Sequence, residues 1–397
     1  TTNKDKNEKE YTTNEDVDTK TTAIVHPAFN LGGKELSGIW VAKFEASGTN
    51  KDGQAVGNGS SSSGALQYYP DETTIAKSLP NKISWRYITI GETQKRSMDI
   101  AGSQKAKYGL ENADSHLIKN SEWGAVAYLC YSQYGNVPKA NRAGTYASGG
   151  YWYDLYTGQG PKNVTDEGYY TKIDNTHNYD TENGILASTT GNITGIYDMN
   201  GGSWELIAGY LDNENQALND YGKTSEGNIK YFESGKLNET YVSLWDKYDV
   251  SEEEKTNKIS ISDGTTLTQN ELWDTNKKEE KYQEARRKIT EDIYNNMRKH
   301  KGIGINEVST EFSFYSPYGT SPIWGWFITA KQAIEGINTF AKAWDSDYML
   351  IGHSGGPFIA RGGDLSYEQG TGVLASDIAD GNTAFTDTFR AVIIVKD

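Results

Sequence analysis

The chain has 397 residues, enough for one elaborated domain or for two to three ordinary ones. Its 39 basic and 54 acidic residues give a formal charge of −15, which argues against a nucleic-acid partner because phosphate binding needs a cationic surface. The 27 tyrosines and 10 tryptophans indicate a folded chain rather than a disordered one, and the 42 glycines indicate many turns. No apolar run reaches the length of a membrane-spanning helix, so no membrane insertion is expected.

The first part of the chain predicts a polar arm followed by a strand. Residues 1–22 are polar and charged, and we interpret them as an N-terminal arm or linker. A strand is predicted at residues 39–44, where Ile39 and Val41 alternate with other side chains. Residues 47–64 are rich in glycine and serine and predict a flexible loop.

A helix is predicted over residues 120–134, with Asn120 or Ser121 as its N-cap. Its apolar residues share one stripe, formed by Trp123, Val126, Ala127, Cys130 and Tyr131. Because Cys130 is the single cysteine and lies on this stripe, it is predicted to be a small buried residue rather than a nucleophile. Residues 144–183, rich in glycine, tyrosine and asparagine, predict loops.

The later part of the chain is divided by a polar segment. Residues 211–342 predict an insertion with two surface helices, at about 276–300 and at 330–344. The chain then returns to short strands and turns. It closes on the apolar run AVIIV at 391–395, which predicts a buried strand.

Four motifs in a fixed order resemble those of one protein family. They are GIWVAKFE near the start, NSEWGAVAYL, GIYDMNGGSWE, and RGG followed by FRAV near the end. In this order they resemble the sulfatase-modifying-factor, or formylglycine-generating-enzyme, family. The resemblance implies an α+β, C-type-lectin-like fold with short twisted sheets, long loops and a partly helical insertion. The resemblance covers residues 23–210 and 343–397, the two parts of the predicted lectin-like domain. Within the family, the motifs look most like the variants on phage tail, bacterial surface and pilin-like proteins.

The motif residues are interpreted as parts of the scaffold. Among close-packed glycines, Trp204 can fill a small core, and Glu205 can accept hydrogen bonds from backbone N–H groups that lack partners. Arg361 and Arg390 can hold carbonyl groups or Glu205 through the planar guanidinium. The predicted structural residues are Trp123, Trp204, Glu205, Arg361, Gly362, Gly363, Phe389 and Arg390.

Catalysis is not expected from this sequence. The resemblance implies that the family's reaction uses cysteine thiolates in the last segment to bind copper, but residues 361–390 contain no cysteine. The five histidines are scattered without metal-ligand spacing. Many family members have an asparagine that binds calcium at the position of Gly202, so a calcium site in this chain would lack that ligand. No cofactor is predicted.

The segment between Arg361 and Phe389 is the candidate binding face, because the resemblance implies that such proteins place their ligand contacts there. Its candidate residues combine an aromatic ring with small polar side chains, which suits an adaptable surface. They are Tyr367, Glu368, Gln369, Thr371, Asp377, Asp380, Asn382, Thr386 and Asp387. The alternative is that they only form turns. The tyrosine-rich residues 151–183 either extend this face or belong to the core.

The leading interpretation is a non-catalytic, adhesin-like protein of a virion or bacterial surface that binds a cell-surface receptor or glycan. A second interpretation is a structural decoration or tip subunit of a filament, tail or capsid. In that case residues 211–342 would contact other subunits, and a homo-oligomer is left open. A third is a degenerate metal-dependent oxidase, which would hold copper or iron. The first two interpretations, the adhesin-like protein and the structural subunit, place the protein outside the cell, at a cell surface or on a virion.

Overall fold

The computed structural model combines short helices with several small sheets, a mixed α and β architecture. The structure describes residues 3–5, 8–11, 21–24, 26–57, 67–147, 151–160, 176–250, 252–256, 258–272, 274, 276–286, 288, 313–317, 325–329, 356–364, 371–384 and 386–396.

The described residues of the first half of the chain form these short strands: β1 (Asn3–Asp5), β2 (Glu8–Tyr11), β3 (Thr21–Ile24), β4 (Asn30–Leu31), β5 (Lys34–Glu35), β6 (Trp40–Val41), β7 (Ala46–Ser47), β8 (Lys77–Ser78), β9 (Ala113–Leu117), β10 (Gly144–Ala147) and β11 (Tyr151–Leu155). The described strands of the second half are β12 (Trp204–Asp212), β13 (Phe232–Glu233), β14 (Lys236–Leu237), β15 (Asp246–Asp249), β16 (Ile259–Ser260), β17 (Thr266–Leu267), β18 (Ser313–Pro317), β19 (Gly325–Thr329), β20 (Phe358–Gly362), β21 (Gly372–Ala379), β22 (Asp387–Thr388) and β23 (Ala391–Val395). The described α-helices are α1 (Ile90–Asp99), α2 (Lys105–Tyr108), α3 (Asn120–Cys130), α4 (Gln216–Tyr221), α5 (Glu252–Thr256) and α6 (Gln269–Leu272), and short 3-10 helices span Pro27–Phe29, Gly184–Ala187 and Glu239–Leu244.

The largest described sheet is built around β12. Its order is β15-β12-β20-β21, and β22 also pairs with the start of β12. Strand β20 is antiparallel to β12, with Glu205 opposite Arg361, whereas β15 is parallel, with Tyr210 opposite Lys247. The first eight residues of β12 are all buried. A strand with neighbours on both sides and both faces covered can be apolar along its whole length, as LIAGYL is here.

A second sheet contains the apolar run at the end of the chain. Strand β23 lies between β6 and β9 and is antiparallel to both. Ala391, Val392 and Ile394 are buried, so the predicted AVIIV strand is present and largely covered. Val395 is 54% exposed at the end of the strand.

Helix α3 is present where the sequence predicts it, but its N-cap is Lys119 rather than Asn120 or Ser121. The reason is that Glu122 accepts a hydrogen bond from the backbone N–H of Lys119 at 2.8 Å, while the Asn120 amide donates to the Tyr248 hydroxyl at 2.6 Å. The predicted stripe is buried at Trp123, Val126, Ala127 and Cys130, and Tyr131 is partly buried.

Three segments differ from the sequence predictions. Residues 3–5, 8–11 and 21–24 form the antiparallel strands β1 to β3 in the segment where a polar arm was expected, and the β-branched Thr21 and Thr22 favour β3. The predicted loop at 144–183 contains the β10–β11 hairpin. The strand predicted at 39–44 is limited to Trp40–Val41, because Phe44 leaves the ladder to pack against Tyr179 and Tyr197.

The predicted insertion at 211–342 contributes to the main sheet through β15. Within the first predicted helix of this segment, residues 280–286 are helical, and Arg286 is buried because its guanidinium donates two hydrogen bonds to the carbonyl of Leu272. The second predicted helix, at 330–344, lies outside the described residues.

The position of β23 makes a stability prediction. Val392→Ala removes a fully buried side chain and should lower the free energy of unfolding by about 2–3 kcal/mol, because the lost contacts leave a cavity. Val395→Ala, on the same strand but mostly exposed, should cost less than about 0.5 kcal/mol. Urea unfolding followed by circular dichroism measures both values, and equal losses would contradict the burial of β23.

Candidate functional site

Trp123 of α3 lies at the middle of a cluster of buried charges. Its ring is fully buried, and the guanidinium carbons of Arg361 and Arg390 lie 6.0 and 5.9 Å from the ring centroid. Its indole N–H donates to the carbonyl of Val373 at 2.6 Å. Cations close to a tryptophan ring are attracted by its quadrupole, and the attraction increases when water is excluded. Trp123 therefore connects α3 with β20, β21 and the end of the chain.

Arg390 holds Glu205 by the planar geometry that the sequence analysis expected. Its Nε donates to Glu205 Oε2 at 2.7 Å, and its Nη2 donates to Glu205 Oε1. The same guanidinium donates to the carbonyls of Ala42 at 2.8 Å and Tyr197 at 3.0 Å. Burial lowers the pKa of Arg390, but the charge and hydrogen bonds of Glu205, together with the charges of Asp198 and Glu45, outweigh this effect and leave the pKa above its ordinary value.

Two further carboxyl groups, Glu45 and Asp198, lie in the same buried region. Glu45 accepts hydrogen bonds from the Ser203 N–H at 2.9 Å and from the Ser84 hydroxyl, and its own N–H donates to Asp198. Asp198 also accepts from the Gly158 N–H at 2.9 Å. Burial is the main cause that raises the pKa of both groups, and the neighbouring carboxylates raise that of Glu45 further. Sequence reasoning missed these two residues, although each belongs to one of the four motifs.

Two glycines of the motifs are required by this arrangement. Gly202 has a φ of +76°, and a Cβ there would lie 2.4 Å from Glu45 Oε1. Gly362 has a φ of +91°, and a Cβ there would lie 3.3 Å from the Trp123 ring. A side chain at position 202 would therefore displace the Glu45 carboxyl group.

The other predicted structural residues are also buried. Trp204 is 4% exposed at the start of β12, and Phe389 is fully buried with its ring 5.7 Å from that of Trp85. Gly363 follows β20 with a φ of +77°. The tyrosine-rich segment places Tyr179 against Phe44 and Tyr197, whereas residues 161–175 lie outside the described residues.

The candidate binding face is only partly assembled at the surface. Tyr367, Glu368 and Gln369 lie outside the described residues. Asp380 is exposed, whereas Thr371, Asp377, Asn382, Thr386 and Asp387 are partly buried. Asp380 and Asn382 share one turn, in which the Asn382 N–H donates to the Asp380 carboxylate at 2.8 Å. Between them and Arg361, residues 372–376 of β21 are buried, so the segment does not form one continuous exposed face.

Asp377 and Asp387 form an acidic pair beside the buried Asp364. The pKa of each is raised to about 7, mainly by burial, and the charge of Asp364 contributes to both shifts. The Ile378 N–H donates to Asp377 and opposes the shift of that residue. These carboxyl groups are therefore protonated in part at neutral pH.

His116 and the single cysteine, Cys130, are both buried. His116 is fully buried, and its Nε2 lies 2.9 Å from Glu122 Oε1. Burial raises the pKa of the Cys130 thiol to about 12, which removes the thiolate that nucleophilic chemistry requires. Among the described residues, no three histidine, cysteine, aspartate or glutamate side chains are grouped so that they could hold a metal ion. His300 and His353 lie outside these residues.

Two open clefts lie elsewhere on the described surface. One, of about 410 Å³, is lined by residues of α1 and by Asp71 and Glu226. Its Arg96 is already bound by Glu92 at 2.8 Å and by the Thr74 carbonyl at 2.9 Å. The other, of about 430 Å³, lies at the end of β12 and β15 and contains three lysines, and we call it the lysine cleft. Sequence reasoning did not identify either cleft.

Comparison of the chain with protein-family models found no match, and comparison with curated proteins found none either. None of the described helices combines the length and the apolar character needed to cross a lipid bilayer. The residues themselves therefore carry the functional interpretation.

The buried pair of Glu205 and Arg390 makes a second stability prediction. Arg390→Met should lower the free energy of unfolding by about 3–5 kcal/mol, because it leaves the Glu205 carboxylate buried without its partner. The double variant Glu205→Met with Arg390→Met should be more stable than Arg390→Met alone by about 1–3 kcal/mol, since no unpaired charge of this pair remains. Denaturant unfolding measures both. A loss below about 1 kcal/mol for Arg390→Met would contradict the role assigned to the pair.

The acidic pair makes a prediction for pH dependence. Because folding raises the pKa of Asp377 and Asp387, their contribution to stability is present below about pH 4 and is lost as the pH rises through about 7. Between pH 5 and pH 8 the free energy of unfolding of the parent protein should therefore fall. The fall should be smaller for Asp387→Asn, by on the order of 2 kcal/mol. Glu111→Gln, at an exposed position, should keep the parent profile. Parallel pH profiles of Asp387→Asn and the parent would contradict the prediction.

Proposed function

We propose that the protein is a non-catalytic, adhesin-like protein that binds a receptor or glycan from a virion or bacterial surface. The observation that supports this proposal is that the four sequence motifs converge on one buried centre. Glu45 comes from the first motif, Trp123 from the second, Glu205 from the third, and Arg361 and Arg390 from the fourth. We call this set, with Asp198, the charged centre.

The same convergence supports a C-type-lectin-like fold of the formylglycine-generating-enzyme type. Motifs that are distant in the chain are held at one point by hydrogen bonds and ring contacts, as a fold with short sheets and long loops requires. Burial of the charged centre also supports a scaffold rather than an active site. Glu45, Glu205 and Arg390 are all 0% exposed, so a substrate has no access to them.

The binding face proposed for this function is centred on the turn of Asp380 and Asn382. This turn follows the buried strand β21 and precedes β22, both of which belong to the main sheet. Binding residues on exposed loops of a rigid sheet are a common arrangement, because the scaffold keeps the loop in position while its side chains remain free to vary.

A structural role as a decoration or tip subunit is the second candidate. Trp40 is 71% exposed on β6, an edge strand of its sheet. An unpaired sheet edge can pair with a strand of another chain, and the exposed Trp40 ring would add apolar area to such a contact. Light-scattering measurement of the purified chain distinguishes the candidates, since obligate assembly requires an oligomer.

The binding proposal is tested by substitution in the turn. Asp380→Ala and Asn382→Ala should each weaken binding on a glycan array or to bacterial cells by about tenfold, because each removes a polar contact. Glu111→Ala, which replaces an equally exposed carboxylate in another loop, is the matched control and should bind as the parent does. Unchanged binding of both turn variants, when the parent binds, would remove the face from the proposal.

A further inference from the structure

The lysine cleft is formed by one face of a parallel strand pair. Because side chains alternate along a strand, Tyr210 and Asp212 of β12 point to one side of the sheet. Trp245, which directly precedes the neighbouring strand β15, and Lys247 of that strand lie on the same side. The opposite side carries Tyr248, which packs against α3 and accepts a hydrogen bond from its first residue. The sheet therefore packs against α3 on one side and forms the floor of the lysine cleft on the other.

Aromatic packing holds the floor of the cleft in place. The ring of Trp245 lies 5.1 Å from that of Phe232 and 6.0 Å from that of Phe358, and the Tyr210 ring lies 4.9 Å from Phe232. Trp245 and Tyr210 are only 4% and 3% exposed. Two of these ring pairs are edge-to-face and the Trp245–Phe358 pair is tilted, and together they hold the floor of the cleft against the rings below it.

The cleft contains more hydrogen-bond donors than its own carboxylates use. Lys247 lies 2.6 Å from Asp212 and 3.3 Å from Asp249, and Lys255 lies 3.4 Å from Glu252. Lys236, on β14, has no ion-pair partner among the described residues. It is exposed, so its ammonium group can pair with an anion that enters the cleft.

The strongest indication of a ligand is the indole N–H of Trp245. It is buried, and no acceptor within the described part of the chain forms a hydrogen bond with it. A buried donor without a partner costs free energy, commonly about 1–3 kcal/mol, unless a ligand or water supplies the acceptor. Trp245 also lines the cleft, so a small turn of its ring would bring the N–H to an acceptor on a molecule bound there.

We propose that the lysine cleft binds a small polyhydroxylated acid, with the chemistry of a uronic acid or another sugar acid. The carboxylate of such a ligand pairs with Lys236 and accepts the hydrogen bond of Trp245, which together supply the missing charge and acceptor. Its hydroxyl groups donate to Asp212 and Glu214, while Leu237 and Val242 contact its carbon frame. A volume of about 430 Å³ suits one such molecule. None of these residues belongs to the binding face, so this site stands apart from the proposed function.

Calorimetric titration of the full chain with D-glucuronate, D-galacturonate and N-acetylneuraminate tests this proposal, with D-glucose and acetate as comparison probes. At least one acid should bind saturably and about tenfold more tightly than D-glucose, which lacks the carboxylate, and than acetate, which lacks the hydroxyl groups. Binding should weaken with added salt, because an ion pair is partly screened. Absence of saturable binding by all three acids up to about 10 mM would overturn the proposal.

Three variants locate the site. Lys236→Gln should weaken binding of the acid about tenfold and abolish its preference over D-glucose. Lys230→Gln is the matched control, because Lys230 is an exposed lysine near the same hairpin that does not line the cleft, and it should bind as the parent does. Equal effects of the two substitutions would overturn the assignment of Lys236.

Trp245→Phe keeps an aromatic ring and removes only the N–H and one ring of the indole. The signal lost from the nitrogen–proton spectrum in this variant identifies the indole resonance of Trp245 in the parent protein. That resonance should shift downfield on titration with the bound acid, because the N–H acquires an acceptor. An unmoved resonance at saturation would contradict the hydrogen bond. If Trp245→Phe fails to fold, Lys236→Gln and its control still decide the proposal.

Discussion

The burial of Arg390 against Glu205 is the interaction on which the rest of the structure depends. Two ionisable side chains at 0% exposure are tolerated only when each has its hydrogen bonds made, and Arg390 makes them to Glu205 of β12 and to the carbonyls of Ala42 and Tyr197. Burial raises the pKa of Glu205 to about 7, and the charge and hydrogen bonds of Arg390 oppose that shift. Removing any one of these segments leaves a charge or a carbonyl without its partner. The ion pair thus requires the beginning, middle and end of the described chain to be in place together.

A polar interior of this kind fits the composition of the chain. The mean hydropathy is −0.71, and bulk in the core comes largely from aromatic rings, such as Trp85, Trp123 and Tyr248, rather than from aliphatic side chains alone. Trp123 has one polar atom and a large ring, so it can satisfy a backbone carbonyl and also contact two guanidinium groups. Buried polar networks restrict the alternative packings of a core, because partly satisfied arrangements are costly.

Local patterns predicted those features that depend on neighbouring residues. The periodicity of α3 and the apolar run of β23 indicated both elements, and the Trp-Glu pair at the start of β12 indicated a buried position. The charged centre was predicted in part, because Glu45 and Asp198 join it only through contacts between distant segments. The polar residues around 377–387 suggested a surface, yet residues 372–376 of β21, which precede them, are buried within the main sheet beside β20, and no local pattern records that pairing.

Strand β12 connects the charged centre to the lysine cleft. It begins with Trp204 and Glu205, which belong to the buried interior, and it ends with Tyr210 and Asp212, which line the cleft. The parallel pairing with β15 sets the position of Lys247 beside Tyr210, and that pairing joins segments whose partnership the sequence does not reveal. The buried interior and the cleft therefore share one strand, which has neighbours on both sides. At its inner end Glu205 has no exposed surface, whereas Asp212 at its outer end and the adjacent Lys247 keep part of their surface exposed. Burial thus separates the part of β12 that holds the scaffold together from the part that a ligand can reach.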